Sequence, residues 1–471
     1  MIIGGFEAQA GKNISIEHVW LQLGSNFSQL FLEYADQVKF FNQPIRPGVV
    51  ENFFSTGAGE CDWYSHYGHI SEETVLDELD TLSSLVDAGY KYYIMDDGWG
   101  SDETLKYYNW SSWDPVKFPN GMAPCIAKAH GAGLKFVVWN RIGYAPLWVQ
   151  QTHPGWLASQ GGDPEKDSVY NMSLPAVQAY IADVFTTWKN QGIDGLKVDF
   201  IISGLYWSWA AQIWNEDKTR TELVNQYLDI LDREAARCNL SILLCGTPYG
   251  YPSLARYANL VASRVTGDTA SQGGLNTWQI ATTLLRSFWW ARAFNTPDPD
   301  AFNSNNIRGI LAAAATGGAL YHGNDFQSVH SGNARLAWAI HWAAPALPDN
   351  LAYCGNLVIA RGRSLEHRSF IAMNLDESSS RAYSIEMLPM SSSAIRISAM
   401  CSMDVVDGRF EGILGPASAE MLILYTGQPP LPVSSCLADE IGRFLLMAGP
   451  IVIIAVIALV LVSKNKTKRN S

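Results

Sequence analysis

Residues 175–200 read PAVQAYIADVFTTWKNQGIDGLKVDF, and this stretch sets the expectation for the fold. Residues 175–191 have the pattern of a helix, and Gly192 follows at a position where a left-handed helix end favours glycine. Residues 195–200 are a short apolar strand candidate that carries Asp199 near its end. The stretch therefore predicts one helix–strand unit with a carboxylate at the carboxyl end of the strand.

The same order of elements recurs on both sides of this unit. Strands are predicted at 90–95, 134–139, 195–200 and 241–245, and helices at 71–88, 122–132 and 175–191. Ser71 is predicted to cap the first helix in a capping box with a following glutamate. Repeated βαβ units fit either a doubly wound open sheet or a closed (β/α)8 barrel. The glycine-rich nucleotide loops of open sheets do not occur, so we predict a TIM barrel.

Downstream of the barrel, short alternating runs separated by Gly, Asp and Ser predict a small antiparallel β-sandwich domain. The lead segment shows one or two strand candidates, at residues 14–19 and 21–23. The predicted division is a β-rich lead at 1–47, a barrel at 48–340, a β domain at 341–427, a Pro/Ser linker at 428–443, a transmembrane helix at 444–463 and a basic tail at 464–471.

Composition narrows the class of function. The chain has 471 residues, 48% hydrophobic and 17% charged, with a formal net charge of −12. An acidic chain repels phosphate backbones, so we expect no nucleic-acid partner. The seven cysteines form no C-x-x-C pair, and no H-E-x-x-H motif occurs, so we expect neither metal nor cofactor. Oligomeric state is left open.

The apolar run from Phe444 to Val462 predicts a membrane anchor. At about 1.5 Å per residue it spans about 28 Å, close to the hydrocarbon thickness of a bilayer. The basic residues that follow are Lys464, Lys466, Lys468 and Arg469. They predict a cytoplasmic tail and an extracellular body, with membrane lipid as a partner. The N-terminus lacks the features of a signal peptide, which leaves a cytoplasmic body as the alternative.

Carboxylates at strand ends are the main chemical signal. Asp96 and Asp97 follow one predicted strand, Asp199 ends another, and Asp268 follows a third apolar run. In a barrel the carboxyl ends of strands converge on one face. Two carboxylates across a pocket suit glycoside hydrolysis, and Lys197 would favour an ionised nucleophile at Asp199. Sugar-stacking faces are expected from three tryptophans, Trp63, Trp99 and Trp139.

Several segments, in order, resemble the α-galactosidase clan, glycoside hydrolase family 36 and the related family 27, with raffinose-synthase-like members included. The matching segments are GECDWYSHYGHISEE (59–73), AGYKYYIMDDGW (88–99), WDPVKFPNGMAPCIAKAHGAGLKFVVW (113–139), GIDGLKVDF (192–200), SRVTGDT (263–269), NTPDPDAF (295–302) and HGNDF (322–326).

The resemblance implies a retaining enzyme that releases terminal α-linked galactose from an oligosaccharide or glycoconjugate. It implies Asp199 as nucleophile and Asp268 as acid/base. Sugar ligands are implied at Asp96, Asp97, Lys197 and Arg264, with Cys245 and Gly246 near the 2-hydroxyl.

Two segments depart from the family pattern. Residues 245–252 read CGTPYGYP where the family has a Cys-Ser-Gly-Gly-like loop, and WNRIGYAP at 139–146 replaces an acidic motif. These departures leave open a galactosyltransferase of raffinose-synthase type and an α-N-acetylgalactosaminidase. A non-catalytic surface sugar-binding protein is the alternative from another class.

Overall fold

The computed structural model describes residues 27–100, 110–159, 168–201, 220–247, 251–268, 289–302, 318–323 and the single residues 283, 287, 311 and 316 of the first part of the chain. In the second part it describes residues 348–354, 357–363, 368–376, 378–386, 393–396, 401–404, 409–414, 419–425 and 434–435. The strand candidates at residues 14–19 and 21–23 lie outside these ranges, as do the linker at 428–433 and 436–443, the transmembrane helix at 444–463 and the basic tail at 464–471.

The centre of the fold is an eight-stranded parallel sheet. Its strands, in chain order, are β1 Ala58–Cys61, β2 Tyr90–Met95, β3 Lys135–Asn140, β6 Gly195–Val198, β7 Ser241–Leu244, β8 Ala262–Arg264, β9 Thr296–Asp298 and β10 Leu320–His322. A separate antiparallel hairpin after β3 is formed by β4 Leu157–Ser159 and β5 Val169–Tyr170. The first strand pairs with the last, and each strand from β1 to β8 pairs with the next barrel strand along the chain.

Backbone hydrogen bonds close the gap between β9 and β10. The amide of Phe302 donates to the carbonyl of Tyr321 at 3.0 Å, and that of Gly323 donates to the carbonyl of Phe302 at 3.0 Å. The amide of Ala319 donates to the carbonyl of Pro297 at 2.8 Å. The sheet is thus a nearly closed barrel, as the βαβ pattern predicts.

Side chains fill the inside of the barrel. The interior cluster contains Phe53, Phe54, Cys61, Tyr92, Ile94, Val137, Leu243, Val261, Ala262, Ala301, Ala319 and Tyr321. Gly59 faces the ring of Tyr92, where an added Cβ would lie 2.1 Å from a ring carbon. The barrel is therefore a packed core and not an open pore.

Helices cover the barrel. They are α1 Phe27–Phe41, α2 Trp63–His66, α3 Glu72–Ser83, α4 Ala123–Gly131, α5 Leu147–Thr152, α6 Pro175–Gln191 and α7 Arg220–Cys238. Apolar side chains of α6, among them Ile181, Phe185 and Trp188, are buried in the layer between helices and sheet. Gly192 ends α6 with a left-handed φ of 92°, as the sequence predicts.

Two local expectations are corrected. The capping box of α3 pairs Ser71 with Thr74 rather than with a glutamate, because Thr74 occupies the third helical position and its hydroxyl accepts from the Ser71 amide. Residues 27–41 form helix α1 within the segment expected to be β-rich. Helical spacing brings Tyr34 and Phe31 onto Trp289, with ring centroids 5.2 and 6.5 Å apart, which favours the helix at this place.

The strands after the barrel form a mainly antiparallel β structure. Their bounds are β11 Pro348–Cys354, β12 Leu357–Arg363, β13 Arg368–Asn374, β14 Arg381–Glu386, β15 Ser393–Arg396, β16 Cys401–Asp404, β17 Arg409–Leu414, β18 Ala419–Tyr425 and β19 Ser434–Ser435. Seven of them form one sheet in the order β11-β12-β13-β18-β15-β16-β19, and β14 pairs with β17. All pairs are antiparallel except β16 with β19.

Within the described part of the chain, every helix is too short or too polar to cross a bilayer.

Candidate active site

Asp199 lies immediately after β6, at the carboxyl end of the barrel. Its amide donates to the carbonyl of Asn140 at 2.8 Å, which ties it to the neighbouring strand β3. Its Oδ2 accepts from Trp139 Nε1 at 3.1 Å, and its Oδ1 accepts from the amide of Phe200 at 2.6 Å. Phe200 has a left-handed φ of 58°, so the turn behind Asp199 is strained. These contacts hold the Asp199 carboxylate in one orientation.

Lys197 and Asp96 form a buried ion pair beside Asp199. Lys197 Nζ lies 2.6 Å from Asp96 Oδ2, and the side chains are 6% and 4% exposed. Burial lowers the pKa of Lys197, but the surrounding groups, of which Asp96 acts most strongly, together outweigh burial and raise the pKa well above its ordinary value. Lysine therefore remains a cation here and supplies three N–H donors. The carboxylates of both Asp96 and Asp199 act on this cation.

Cys61 is a neighbour of this pair that the sequence analysis did not assign. Its thiol donates to Asp96 Oδ2 at 3.2 Å and lies 4.0 Å from Lys197 Nζ. Burial raises the pKa of the Cys61 thiol well above its ordinary value, so sulfur keeps its proton. The amide of Asp97 donates to the other oxygen, Oδ1 of Asp96, at 2.9 Å. Asp96 is thus fixed on both oxygens, and Asp97 is half-buried next to it.

Arg264 on β8 forms an ion pair with Asp268, the second acidic residue of the candidate site. Its Nη2 lies 3.0 Å from Asp268 Oδ1 and 3.0 Å from Asp300 Oδ2. The Asp268 side chain is 78% exposed, whereas those of Arg264 and Asp300 are 3% exposed. Exposure gives Asp268 access to water, which a residue that exchanges protons with solvent requires.

Asp298 and Asp300 are further site residues whose roles the sequence did not predict. Both lie in the NTPDPDAF segment, where an acidic residue at the end of a strand is the signal that could have identified them. Tyr64 donates to Asp300 Oδ2 at 2.8 Å, and Tyr321 donates to Asp298 Oδ2 at 3.0 Å. Burial raises the pKa of Asp298 to about 6, although the charge of Arg264 opposes the shift. Asp300 has a left-handed φ of 69°.

Cys245 and Gly246 connect the two acidic residues. Arg264 Nη1 donates to Cys245 Sγ at 3.3 Å, and the carboxylate of Asp199 acts on the same thiol. Burial raises the pKa of Cys245 well above its ordinary value. Gly246 has a φ of 72°, and an added Cβ would lie 3.3 Å from the amide of Phe200. Glycine is therefore favoured where this backbone approaches the turn behind Asp199.

The three predicted stacking residues differ in exposure. Trp63 is half-buried, with its ring centroid 5.4 Å from that of Tyr67. Trp99 and Trp139 are each 2% exposed and both pack on Trp110. Trp99 donates through Nε1 to the carbonyl of Trp139 at 2.9 Å. The structure therefore does not support stacking faces at Trp99 and Trp139, because their rings contact protein and Trp139 contacts Asp199 through its nitrogen.

Among the residues described here, no group of three or more His, Cys, Asp or Glu side chains is placed to hold a metal ion. The four cysteines with described side chains, Cys61, Cys125, Cys238 and Cys245, are free thiols.

Curated relatives of the chain are α-galactosidases, whereas no family model matches it. Probable alpha-galactosidase G of Emericella nidulans is 30% identical over 148 residues, 27% of this chain and 20% of the relative. Alpha-galactosidase 2 of Pediococcus pentosaceus is 24% identical over 206 residues, 42% of this chain and 27% of the relative. The matched part thus spans about a quarter of the length of these relatives.

Solved structures show the same fold over most of the chain. A family 27 β-L-arabinopyranosidase of Geobacillus stearothermophilus gives a TM-score of 0.65 at 14% identity, with coverage of 81% of this chain and 100% of that one. α-Galactosidase I of Mortierella vinacea gives 0.58 at 17% identity, with coverage of 82% and 100%. A family 36 α-galactosidase of Geobacillus stearothermophilus gives 0.59 at 14% identity, with coverage of 84% and 58%. The motifs, the curated relatives and the shared fold confirm that this chain resembles the α-galactosidase clan, glycoside hydrolase families 27 and 36.

Proposed function

We propose that the protein is a retaining glycoside hydrolase that releases terminal α-linked galactose. The observation that supports this most is the arrangement around Lys197 and Arg264. Asp199 adjoins the buried Lys197–Asp96 pair, and Cys245 joins it to the Arg264 that holds Asp268. Two carboxylates at one end of a barrel, next to polar groups for hydroxyls, suit an oxocarbenium-like transition state.

In the proposed first step, Asp199 attacks the anomeric carbon. The glycosidic bond breaks, and Asp268 gives its proton to the leaving oxygen, which forms a glycosyl ester on Asp199. In the second step Asp268 takes a proton from water, the water oxygen attacks the anomeric carbon, and the bond to Asp199 breaks. The two displacements together retain the α configuration. This mechanism requires the two carboxyl groups to be about 5–5.5 Å apart across the sugar.

Galactose as the sugar is proposed from the curated relatives and from the polar groups beside Asp199. Asp96 and Asp97 offer carboxylate acceptors, and Lys197 offers N–H donors, for a set of adjacent hydroxyls. Of the three predicted stacking residues, Trp63 is the half-buried one, and its ring is available to stack on a sugar face.

The leaving group and the ring substituent at the 2-position are the finer questions. One structural neighbour is described as a putative α-N-acetylgalactosaminidase of Bacillus halodurans, with a TM-score of 0.59 at 14% identity. Transfer to an acceptor sugar instead of water, as in the raffinose-synthase-like relatives, is the other alternative.

The test is hydrolysis of matched aryl glycosides by the full chain, with the first-formed anomer followed by NMR. The panel contains aryl α-galactoside, β-galactoside, α-glucoside and α-N-acetylgalactosaminide, each with and without an acceptor sugar. The proposal expects turnover of the α-galactoside with α-galactose formed first. First-formed β-galactose, or turnover confined to another glycoside, would contradict it.

From the sequence alone, we also propose that the apolar run at 444–462 anchors the protein in a membrane with its body outside. The test is alkaline extraction of membranes from cells that make the wild type or Val456→Arg, which places a charge in the middle of the run. The wild type should stay in the membrane and the variant should be released; release of both would contradict the proposal. Protease added to intact cells should cut the body and spare the basic tail.

A further inference from the structure

A second cluster of acidic side chains lies buried behind Asp96. Asp62 follows β1 directly and is 0% exposed, and its Oδ1 accepts from the amide of Asp96 at 2.7 Å. Its Oδ2 lies 2.9 Å from the hydroxyl of Tyr93. The same hydroxyl lies 2.7 Å from Glu78 Oε2 on α3, and Glu78 Oε1 lies 2.7 Å from Nε2 of His66. The cluster thus extends from the Asp96 amide to His66, whose side chain is 27% exposed.

The two contacts of the Tyr93 hydroxyl point to a proton on one acid of this cluster. The Tyr93 hydroxyl has one hydrogen, yet its oxygen lies within hydrogen-bond distance of a carboxyl oxygen on each side. Two such contacts require two hydrogens, and the second hydrogen must come from Asp62 or Glu78. If both acids were ionised, the Tyr93 oxygen and one carboxylate oxygen would lie in contact with no hydrogen between them. Burying such an unpaired contact costs free energy.

The surroundings of the two acids differ. Glu78 Oε1 lies 2.7 Å from His66 Nε2, and this imidazole can donate to the carboxylate and can carry positive charge. Asp62 has no cation among its described side-chain partners, which are the Tyr93 hydroxyl and the Asp96 amide. Burial, followed by the negative charges of Glu78 and Asp96, raises the pKa of Asp62 well above its ordinary value.

We propose that Asp62 is a neutral carboxylic acid that positions the sugar-binding Asp96. Its proton lies on Oδ2 and is donated to Tyr93, which donates to Glu78, while its carbonyl oxygen Oδ1 holds the Asp96 amide. This inference rests on the proposed function only where it assigns sugar binding to Asp96. A neutral Asp62 holds that backbone without adding a charge that would compete with Asp96 for Lys197.

The proton should leave at alkaline pH and loosen sugar binding. The carboxyl groups that face Asp62 and Tyr93 from the packed elements are Glu78 on α3, Asp96 after β2 and Glu60 on β1, while His66 on α2 lies against Glu78 and Lys197 on β6 lies against Asp96. An ionised Asp62 would meet the carboxylates of Glu78 and Asp96. We therefore expect KM to rise at alkaline pH while kcat changes less.

Amide variants distinguish the two acids. In Asp62→Asn the amide group still donates to Tyr93 and its oxygen still accepts from Asp96, so it mimics the neutral acid. In Glu78→Gln one of two required acceptors becomes a donor. On an aryl α-galactoside we expect KM to rise less than about threefold in Asp62→Asn and roughly tenfold in Glu78→Gln and Asp62→Ala, since each of these leaves a buried group unpaired. The opposite order for the two amide variants would place the proton on Glu78 and overturn the proposal.

Infrared spectroscopy of the full chain at neutral pH tests the proton without any need for activity. Because the proposed mechanism also places a proton on Asp268, the Asp62 band is taken from the difference spectrum between the wild type and Asp62→Asn; this protonated-carboxyl band should be present in the wild type and in Glu78→Gln and should be lost in Asp62→Asn. In Tyr93→Phe the band should shift, because the acid loses its acceptor. A wild type without such a band, or a band that survives in Asp62→Asn and disappears in Glu78→Gln, would overturn the proposal. Absence of hydrolysis with the expected infrared pattern would count against the proposed function alone.

Discussion

Asp300 Oδ2 lies 3.0 Å from Nη2 of Arg264, the same nitrogen that lies 3.0 Å from Oδ1 of Asp268. A buried carboxylate thus balances the arginine that positions an exposed carboxylate. Because Tyr64 donates to the same Asp300 oxygen, the aspartate is itself held in place. The Arg264–Asp300 ion pair explains how Asp268 keeps a defined position at the end of the barrel although its side chain is largely exposed.

We therefore expect Asp300→Asn to lower kcat on an α-galactoside by about tenfold or more, since one lost charged hydrogen bond is worth about 1.5–3 kcal/mol. Without the charge of Asp300, the Arg264 guanidinium can shift together with the Asp268 side chain or move out of contact with it. Asp36→Asn is the matched control, because Asp36 forms a bidentate ion pair with Arg292 at the exposed protein surface. It should change kcat little, and equal losses in both variants would contradict the role of Asp300.

Gly246 offers a test of the turn behind Asp199, the proposed nucleophile. In Gly246→Ala the new Cβ meets the Phe200 amide, and a left-handed φ costs a non-glycine residue about 1–2 kcal/mol. We expect kcat to fall by about tenfold, with a smaller change in KM. Gly131→Ala is the control, because no atom lies within 4 Å of its Cβ position. Steady-state kinetics that show wild-type kcat for Gly246→Ala would contradict the predicted approach to Asp199.

The Lys197–Asp96 pair predicts non-additive effects on stability. Lys197→Met leaves a buried carboxylate without its cation, and breaking a buried pair in this way costs about 3–5 kcal/mol. The double variant Lys197→Met/Asp96→Asn removes both charges, so it should unfold at a higher temperature than Lys197→Met alone. Thermal unfolding measures both. A double variant less stable than Lys197→Met would show that the unpaired charge on Asp96 does not cause the loss of stability in the single variant.

Asp298 predicts a pH window for stability. Its pKa is about 6 in the folded protein and 3.8 is the ordinary value. A carboxyl with a raised pKa binds more protons when folded, so its contribution to stability is most favourable below about pH 4 and declines as pH rises to about 6. Between those values Asp298→Asn should show a flatter dependence of unfolding temperature on pH than the wild type. Parallel profiles for the two proteins would contradict the shift.

Much of the barrel follows from short-range sequence patterns. Gly192 after an amphipathic stretch and the apolar run before Asp199 predict one helix–strand unit, and repetition of such units predicts the sheet. Strand β9 is three residues long, too short to show a periodic pattern, and the strain at Asp300 depends on contacts made across the barrel. Which acid contacts Arg264 therefore could not be predicted from spacing alone.

The tryptophans show a second limit of the sequence. An indole ring fills a core as readily as it stacks on a sugar, and Trp99 and Trp139 do the former. The role of Trp139 comes from its ring nitrogen, which contacts Asp199 from the neighbouring strand. That contact depends on the register between β3 and β6, in which Trp139 lies opposite Lys197.

The most direct test of the double-displacement account is azide rescue of two matched variants on an aryl α-galactoside. In Asp199→Ala azide should replace the missing nucleophile in a single displacement and give β-galactosyl azide. In Asp268→Ala azide should attack the ester on Asp199 in a second displacement and give α-galactosyl azide. NMR of the purified products decides between the assignments. Exchanged anomers, or wild-type turnover without azide in Asp199→Ala, would contradict Asp199 as nucleophile and Asp268 as acid/base.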